Sequence, residues 1–464
     1  MASVLNLDAD VNPVLLNVAT KNFHGAIEYI LHQRIEGIHS TKSLLFNIFS
    51  DLLVCESNFF IFRFGQNSPH YKKTVDFGFG KLDSDANTAL TKLHNSHMTN
   101  AISHARIYSI LEAIKRFSLL RQQFVYILLI LFQNIASDPI RLASLMEEIT
   151  EKLYNEESLK PLGILGEVIG MELFLCKHLI LSSIAVQDHH FQNSVVNFHL
   201  GKSLLLKYRG LVRHTINIRS LKTGNLAVIF QKLFKWISVK IALYFFNVIH
   251  PRQIASTFLN GRKVHFPDDV EPEYLLPILE YEQIAKPSNV SLIFIPKDNS
   301  VYTDGFVCQG TALNDYTSKG IQSFSRIMSY PMDLSGEFWA RHMANIISIL
   351  QSHHKFFTQP VKGAASVSRH STIIANIFGS LWRSSQTHQR RFSGTEYEAA
   401  QDNYLGVQNS ITFYDRNVDF TYFVCRLDHR VALSIIHSGD GSGWGDLMKL
   451  LASRLLMVIE PDMN

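Results

Sequence analysis

The sequence has few cysteines, and they never gather. Cys55, Cys176, Cys308 and Cys425 lie far apart with no CxxC pair, so spacing excludes a zinc knuckle or a disulfide framework and fits a reducing compartment. A dominant charge is also missing. The 44 Lys and Arg nearly balance 40 Asp and Glu, for a formal net charge of +4, so composition gives no ground for a polyanion partner and no nucleic acid is expected. The opening "MASVLNLDADVNP" has no basic region followed by an apolar core, so no secretory signal is expected.

Uncharged spans of membrane length are scarce as well. The apolar stretches "ILGEVIGMELFLCKHLILSSIAV" and "LAVIFQKLFKWISVKIALYFFNVI" carry Glu167, Glu172, Lys177, Lys232, Lys235 and Lys240. A span needs about 20 nearly uncharged residues, so these read as buried helices and any membrane association is expected to be peripheral. What the chain has in quantity is apolar and aromatic side chains. With 464 residues, 46% hydrophobic, and 32 Phe, it can bury the cores of about two or three domains.

Up to about residue 258 the apolar period is helical. Leu226, Phe230, Leu233, Ile237, Ile241, Tyr244 and Val248 recur at steps of three and four, which lines one helix face and leaves Lys232 and Lys235 on a solvated one. Stop signals at Gly65 with Pro69, at Ser137, Asp138 and Pro139, and at Pro161 with Gly163 separate further helical runs, which implies a bundle. Ser137 and Asp138 suit the start of the helix that Pro139 opens. The polar, glycine-dotted segment from about 65 to 98 reads as a loop.

The sequence "NGRKVHFPDDVEPE" makes a polar joint, and the boundary of a second domain is placed near 260. Beyond it the runs are short and rich in β-branched and aromatic residues: "NVSLIFI", "IQSFSRIMS", "NIISILQ", "ITFYD", "FTYFVCRL" and "VALSIIHS". These predict strands, the last three in an antiparallel meander through the turns "RNVD" and "DHR". The tail "WGDLMKLLASRLLMVI" predicts a helix over one sheet face. The polar stretch 352–408 predicts a mobile, disordered insertion. The expected fold class is therefore α+β, with helical bundle residues 1–260, divisible near 137–163, and an α+β domain at 261–464.

Motifs for chemistry are incomplete. "GDGSGWGD" has glycines before a helix, the setting of a phosphate loop. Yet from Gly439 the sixth place of G-x-G-x-x-G is Trp444, and no Lys-Ser/Thr follows. The cluster reads better as a turn, reversing the chain through Gly439, Gly441 and Gly443 and placing Asp446 in the first turn of the last helix. "GKS" at 201–203 lies inside a helical pattern with Val196 where a P-loop needs glycine. The pairs in "DHH" at 188–190 and "HH" at 353–354 lack a third ligand and read as surface or loop histidines. No G-x-S-x-G elbow occurs, since Asp440 stands where its first glycine belongs. Cys425 reads as packing, and Asp415 and Asp419 as turn residues. The sequence supplies no catalytic, cofactor-binding or metal-ligating residue to name, and no cofactor is expected.

Two segments carry a resemblance. "NVSLIF" at 289–294 and "FYDRNVDFTYF" at 413–423, where Phe413, Tyr414 and Asp415 precede Thr421, Tyr422 and Phe423, resemble the KICSTOR complex subunit 2 family. Looser likeness covers "SVVNFHLGKSLLLKYRGLV" at 194–212 and "LFKWISVKIALYFFNVIHPRQ" at 233–253. The order of the four is that of the family, while the first 100 residues match only in helical texture, and the stretch 352–408 is longer than the family pattern. The resemblance implies a helical region followed by an α+β domain, and a non-enzymatic scaffold or adaptor subunit. It further implies other KICSTOR-like subunits as partners, a large scaffolding one among them. Together they would tether the GATOR GTPase-activating complex at the lysosomal membrane and restrain TOR complex 1 upstream of the Rag GTPases when amino acids or glucose are scarce. The implied location is cytoplasmic and peripheral at that membrane. A second reading from the sheet and its helices is a small-molecule-sensing regulatory protein; a third is a nucleotide-using enzyme built on the glycine cluster.

Overall fold

The computed structural model describes residues 7–35, 40–61, 77–95, 101–133, 139–212, 226–246, 275–296, 306–308, 316–318, 323–331, 335–353, 357, 410–428, 430–441 and 443–459. The chain divides into two compact units, one of Met1–Ile184, Val196–Lys235 and Met463–Asn464, the other of Ala185–Val195 and Trp236–Asp462. The joint expected near 260, Ser137 and Asp138, and nearly all of the expected insertion lie outside the described residues.

The first unit is helical. It holds α1 (Leu7–Ala19), α2 (Phe23–Ile35), α3 (Ser40–Ile61), α4 (Phe79–His94), α5 (Ala101–Gln133), α6 (Pro139–Glu148) and α7 (Glu156–Leu159), with most of α8 (Ile164–Gln187), α9 (Phe191–Val212) and the start of α10 (Leu226–Tyr244). Helix α5 runs about 50 Å at 1.5 Å per residue and buries Ile107, Ile110, Ile114, Phe117, Phe124 and Leu128. Phe59 on α3 meets Phe79 and Phe124 at ring-centre distances of 6.4 and 6.5 Å. Helix α8 is, among the described residues, the one helix apolar and long enough to cross a membrane. Even so, 67% of its most apolar window is buried within the protein, and Glu172 on it is fully buried.

The loop expected over 65–98 is corrected by α4. Its sequence is polar on average, but Phe79, Leu82, Ala86, Ala89, Leu90 and Leu93 recur at helical steps and all are buried. That one face, packed along α3 and α5, is enough to hold the helix. Gly78 precedes it with φ of 92°, a left-handed turn suited to glycine.

The second unit is α+β, as expected. Its main sheet has the order β4-β1-β7-β6-β5, all antiparallel, from β1 (Asn289–Phe294), β4 (Arg326–Tyr330), β5 (Ser410–Asp415), β6 (Phe420–Asp428) and β7 (Val431–Ser438). A small two-stranded sheet joins β2 (Phe306–Cys308) to β3 (Tyr316–Ser318). Strands β1 and β7 lie at the centre with almost every residue buried, which is why their runs read as continuously apolar instead of alternating.

Register assigns the two faces, because directly opposite residues share one. Ile293 faces Ala432 and Tyr422 faces Ile436, and these join Trp339, Met343, Ile346 and Leu350 of helix α12 (Gly336–Ser352) in one buried cluster. The opposite face carries Phe294, Leu433, Phe423 and His437. There Tyr281 of α11 (Leu275–Ala285) and Trp444, just before α13 (Gly445–Ile459), both meet His437. The meander β5–β6–β7 and the final helix match expectation.

The strand expected over "NIISILQ" is corrected: it is the second half of α12. Ile346, Ile347 and Ile349 raise strand propensity, but Trp339, Met343, Ile346 and Leu350 recur at three or four and form one buried stripe. Ser335 caps that helix, its hydroxyl accepting from the Phe338 N–H at 3.1 Å.

Candidate functional site

The helical unit buries four charges. Lys21, at the turn between α1 and α2, lies 3.0 Å from Glu56 of α3 and 3.6 Å from Glu172 of α8. Arg121 of α5 donates from Nε to Glu56 Oε1 at 2.6 Å and from Nη2 to Glu56 Oε2 at 3.0 Å. Its Nη1 donates to Glu172 Oε2. The guanidinium also lies over Phe59 and Phe117, at 4.6 and 5.3 Å from the ring centres. Burial alone would raise the Glu56 carboxyl, but Arg121 and Lys21 outweigh it and hold it at about 2. Two cations and two carboxylates thus balance in a medium where an unpaired charge is costly. A carboxylate held that low is fixed as an anion and is a poor proton donor or acceptor near neutrality.

The second unit has its own ion pairs. Lys240 Nζ is 2.8 Å from Asp428 Oδ2, which also accepts from the Tyr244 hydroxyl at 3.0 Å. Arg430 donates to the carbonyls of Ile295 and Gln187 at 3.0 and 2.8 Å and lies 4.3 Å from the Phe294 ring centre. His189, read as a surface or loop histidine, does lie in the α8–α9 turn but is buried, 5.1 and 4.6 Å from the ring centres of Phe245 and Phe294. Burial, with Arg430 nearby, lowers it to about 4. His353 ends α12, and His354 is outside the described residues. Among the described residues no group of three or more His, Cys, Asp and Glu side chains converges as metal ligands would.

Under α12, His342 Nδ1 lies 2.7 Å from the Tyr422 hydroxyl. Asn345 donates to that oxygen at 3.0 Å and to Asp415 Oδ2 at 2.9 Å. Asp415 Oδ1 accepts from the Asn417 N–H at 2.9 Å, and Asp419 accepts from the Tyr414 hydroxyl at 2.7 Å. These two carboxylates serve the turn, as their spacing predicts. Burial pushes the thiols of Cys425 and Cys176 up to about 12, away from thiolate reactivity.

At the glycine cluster the backbone donors turn inward. The Gly439 N–H donates to Asp419 O at 2.8 Å, and those of Gly443 and Trp444 donate to Gly441 O at 2.9 and 3.2 Å. Gly439 and Gly441 have φ of 81° and 67°, and a Cβ on Gly441 would lie 2.8 Å from Thr421 Cγ2. Trp444 stacks on His437 at 5.5 Å with rings 2° from parallel, and His437 Nε2 pairs with the Tyr281 hydroxyl at 2.8 Å. A phosphate cradle needs converging free N–H groups; here three donate to the chain itself, and the loop locks α13 against the sheet. Asp446 stands in the first turn of that helix.

The most exposed apolar side chains on a single described helix belong to α9. Val196, Leu200 and Leu206 are 57%, 42% and 59% exposed. Exposed Lys202, Lys207 and Arg209 stand among them, and the helix carries no Asp or Glu. "GKS" at 201–203 lies within it, as expected.

Sequence reasoning did not join Lys21, Glu56, Arg121 and Glu172. Its one usable signal was Glu172 inside an apolar run. Compared with known proteins, the chain matches no family model and no curated protein.

Proposed function

We propose that the chain is a non-catalytic scaffold or adaptor subunit of a KICSTOR-like complex. In this reading it binds a large scaffolding subunit, helps recruit the GATOR GTPase-activating complex to lysosomal membranes, and restrains TOR complex 1 upstream of the Rag GTPases under nutrient shortage. The observation that supports it is the α9 surface. It falls in the stretch 194–212 that resembles the family, and it leaves three aliphatic anchors in water among basic side chains. Aliphatic anchors surrounded by charge of one sign suit a protein interface with an acidic, partly apolar partner.

Affinity purification of the full chain is expected to recover the other subunits. The variant V196D/L200D/L206D should reduce recovery at least tenfold at unchanged melting temperature, since all three residues face solvent. Recovery of no partner by the parent chain, or equal recovery by the variant, defeats the reading. The alternative, a small-molecule-sensing regulatory protein, is favoured by a different observation, a row of buried polar groups in the sheet.

A further inference from the structure

Four buried polar atoms in the layer between the sheet and α12 have no hydrogen-bond partner in the protein: Asn289 Oδ1, Ser291 Oγ, Ser434 Oγ and Trp339 Nε1. We infer that this layer binds a small uncharged molecule that both donates and accepts hydrogen bonds. The claim is independent of the scaffold reading.

The floor of the site follows from register. Ser291 of β1 stands directly opposite Ser434 of β7 on one side and Ser329 of β4 on the other. Asn289 lies two residues along β1 and so on the same face. Asn289, Ser291 and Ser434 are all 0% exposed. The Asn289 amide is oriented by two bonds from its nitrogen, to Ser329 Oγ at 2.9 Å and to the Tyr330 carbonyl at 3.0 Å. A carbonyl accepts only from the nitrogen end, so Oδ1 is left as an acceptor of fixed direction.

The roof is α12. Trp339, 6% exposed, belongs to the same buried cluster as Ile293, Ala432 and Ile436, the residues that flank the serines along their strands. Small side chains let a helix approach a sheet, but Ala432 on the same face does this without a hydroxyl. Buried polar groups are nearly always satisfied, and four unsatisfied in one layer of a marginally stable fold is a cost that a bound molecule removes.

The chemistry of the four atoms selects the ligand. Two hydroxyls take either role, the amide oxygen needs a donor, and the indole N–H needs an acceptor, so no charge is called for. The charged side chains of that face are engaged: Arg326 lies 4.3 Å from the Trp339 ring centre, and Arg426 Nε donates to the Asp428 carbonyl at 3.1 Å. Water is the smallest molecule of the required kind, and small amides and diols are the next.

The sign of a stability change tests this. If a molecule bridges the hydroxyls, S434A and S291A each remove a made bond, and the melting temperature of the full chain should fall by about 2–4 °C. If nothing is bound, each removes an unsatisfied group and the melting temperature should stay or rise, which overturns the proposal. A crystal structure of the full chain gives the second readout, independent of how the variants fold. Density between Ser291, Ser434 and Trp339 supports the site, while a closed layer with both hydroxyls turned onto backbone carbonyls refutes it. Acetamide and ethylene glycol separate the two sources. A melting-temperature rise in the parent that S291A/S434A abolishes assigns an organic ligand; density without that rise assigns solvent water.

Discussion

The two units bury different kinds of polar group. In the helical unit Lys21, Glu56, Arg121 and Glu172 pair with one another, two charges of each sign, although Glu172 Oε1 has only the 3.6 Å ion pair to Lys21 and no hydrogen bond. In the sheet unit Asn289, Ser291, Ser434 and Trp339 are neutral and leave four atoms without a protein partner. An unpaired charge in a core costs several kcal/mol and an unpaired hydroxyl about 1–3 kcal/mol. A fold can therefore leave hydroxyls open to an outside molecule, whereas a buried charge has to be matched from within. The first arrangement fits a structural clamp and the second a small binding layer.

The sharpest way to break the contrast is to unmatch the clamp. R121M leaves Glu56 and Glu172 facing only Lys21 in a fully buried site. Loss of one partner of a buried pair typically costs about 3–5 kcal/mol, and urea unfolding should show a loss of that size. The variant R121M/E56Q/E172Q/K21M, which removes all four charges, should recover much of it. If R121M unfolds at the parental urea midpoint, the four residues are not a clamp.

Next in size is the glycine turn. G441A places a Cβ against Thr421 at a φ of 67°, where an L residue is strained, and should cost about 2 kcal/mol. G443A meets nothing within 4 Å and should be close to neutral. A phosphate-loop role predicts instead that both substitutions reduce binding of a nucleotide, with stability little changed. Isothermal titration with ATP alongside thermal melting distinguishes the two roles.

The legible parts of the fold were those in which local pattern and burial agree. Strands β1, β6 and β7 are apolar because both faces are covered, so their runs stood out. Helix α12 was misread because Ile346, Ile347 and Ile349 favour strands, while its packing stripe follows a helical period. Helix α4 was missed because six buried residues are diluted by ten polar or small ones that are exposed or half-buried. The clamp was illegible for a different reason. Arg121 is 65 residues from Glu56 and 51 from Glu172, and no local rule joins charges across such distances. The serines were equally silent, since each is ordinary alone and only register sets Ser291 beside Ser434.

Acid separates the units by the smallest effect, and by its starting pH. His189 is lowered from 6.5 to about 4 in the folded chain, so its neutral burial stabilises above pH 6.5 and that contribution is lost as pH falls towards 4. Glu56 is lowered from 4.5 to about 2, so its contribution persists to pH 4.5 and is lost only below it. At pH 5.5 the sheet unit should therefore have lost about 1 kcal/mol through His189 while the clamp is intact. The variant H189F, which keeps a ring between Phe245 and Phe294, should flatten the decline between pH 7 and 4 and leave the further loss below pH 4 unchanged. Urea midpoints at pH 7, 5.5, 4 and 3 measure both limbs. An H189F profile parallel to the parent's across the upper limb would mean that the sheet unit's acid response arises elsewhere.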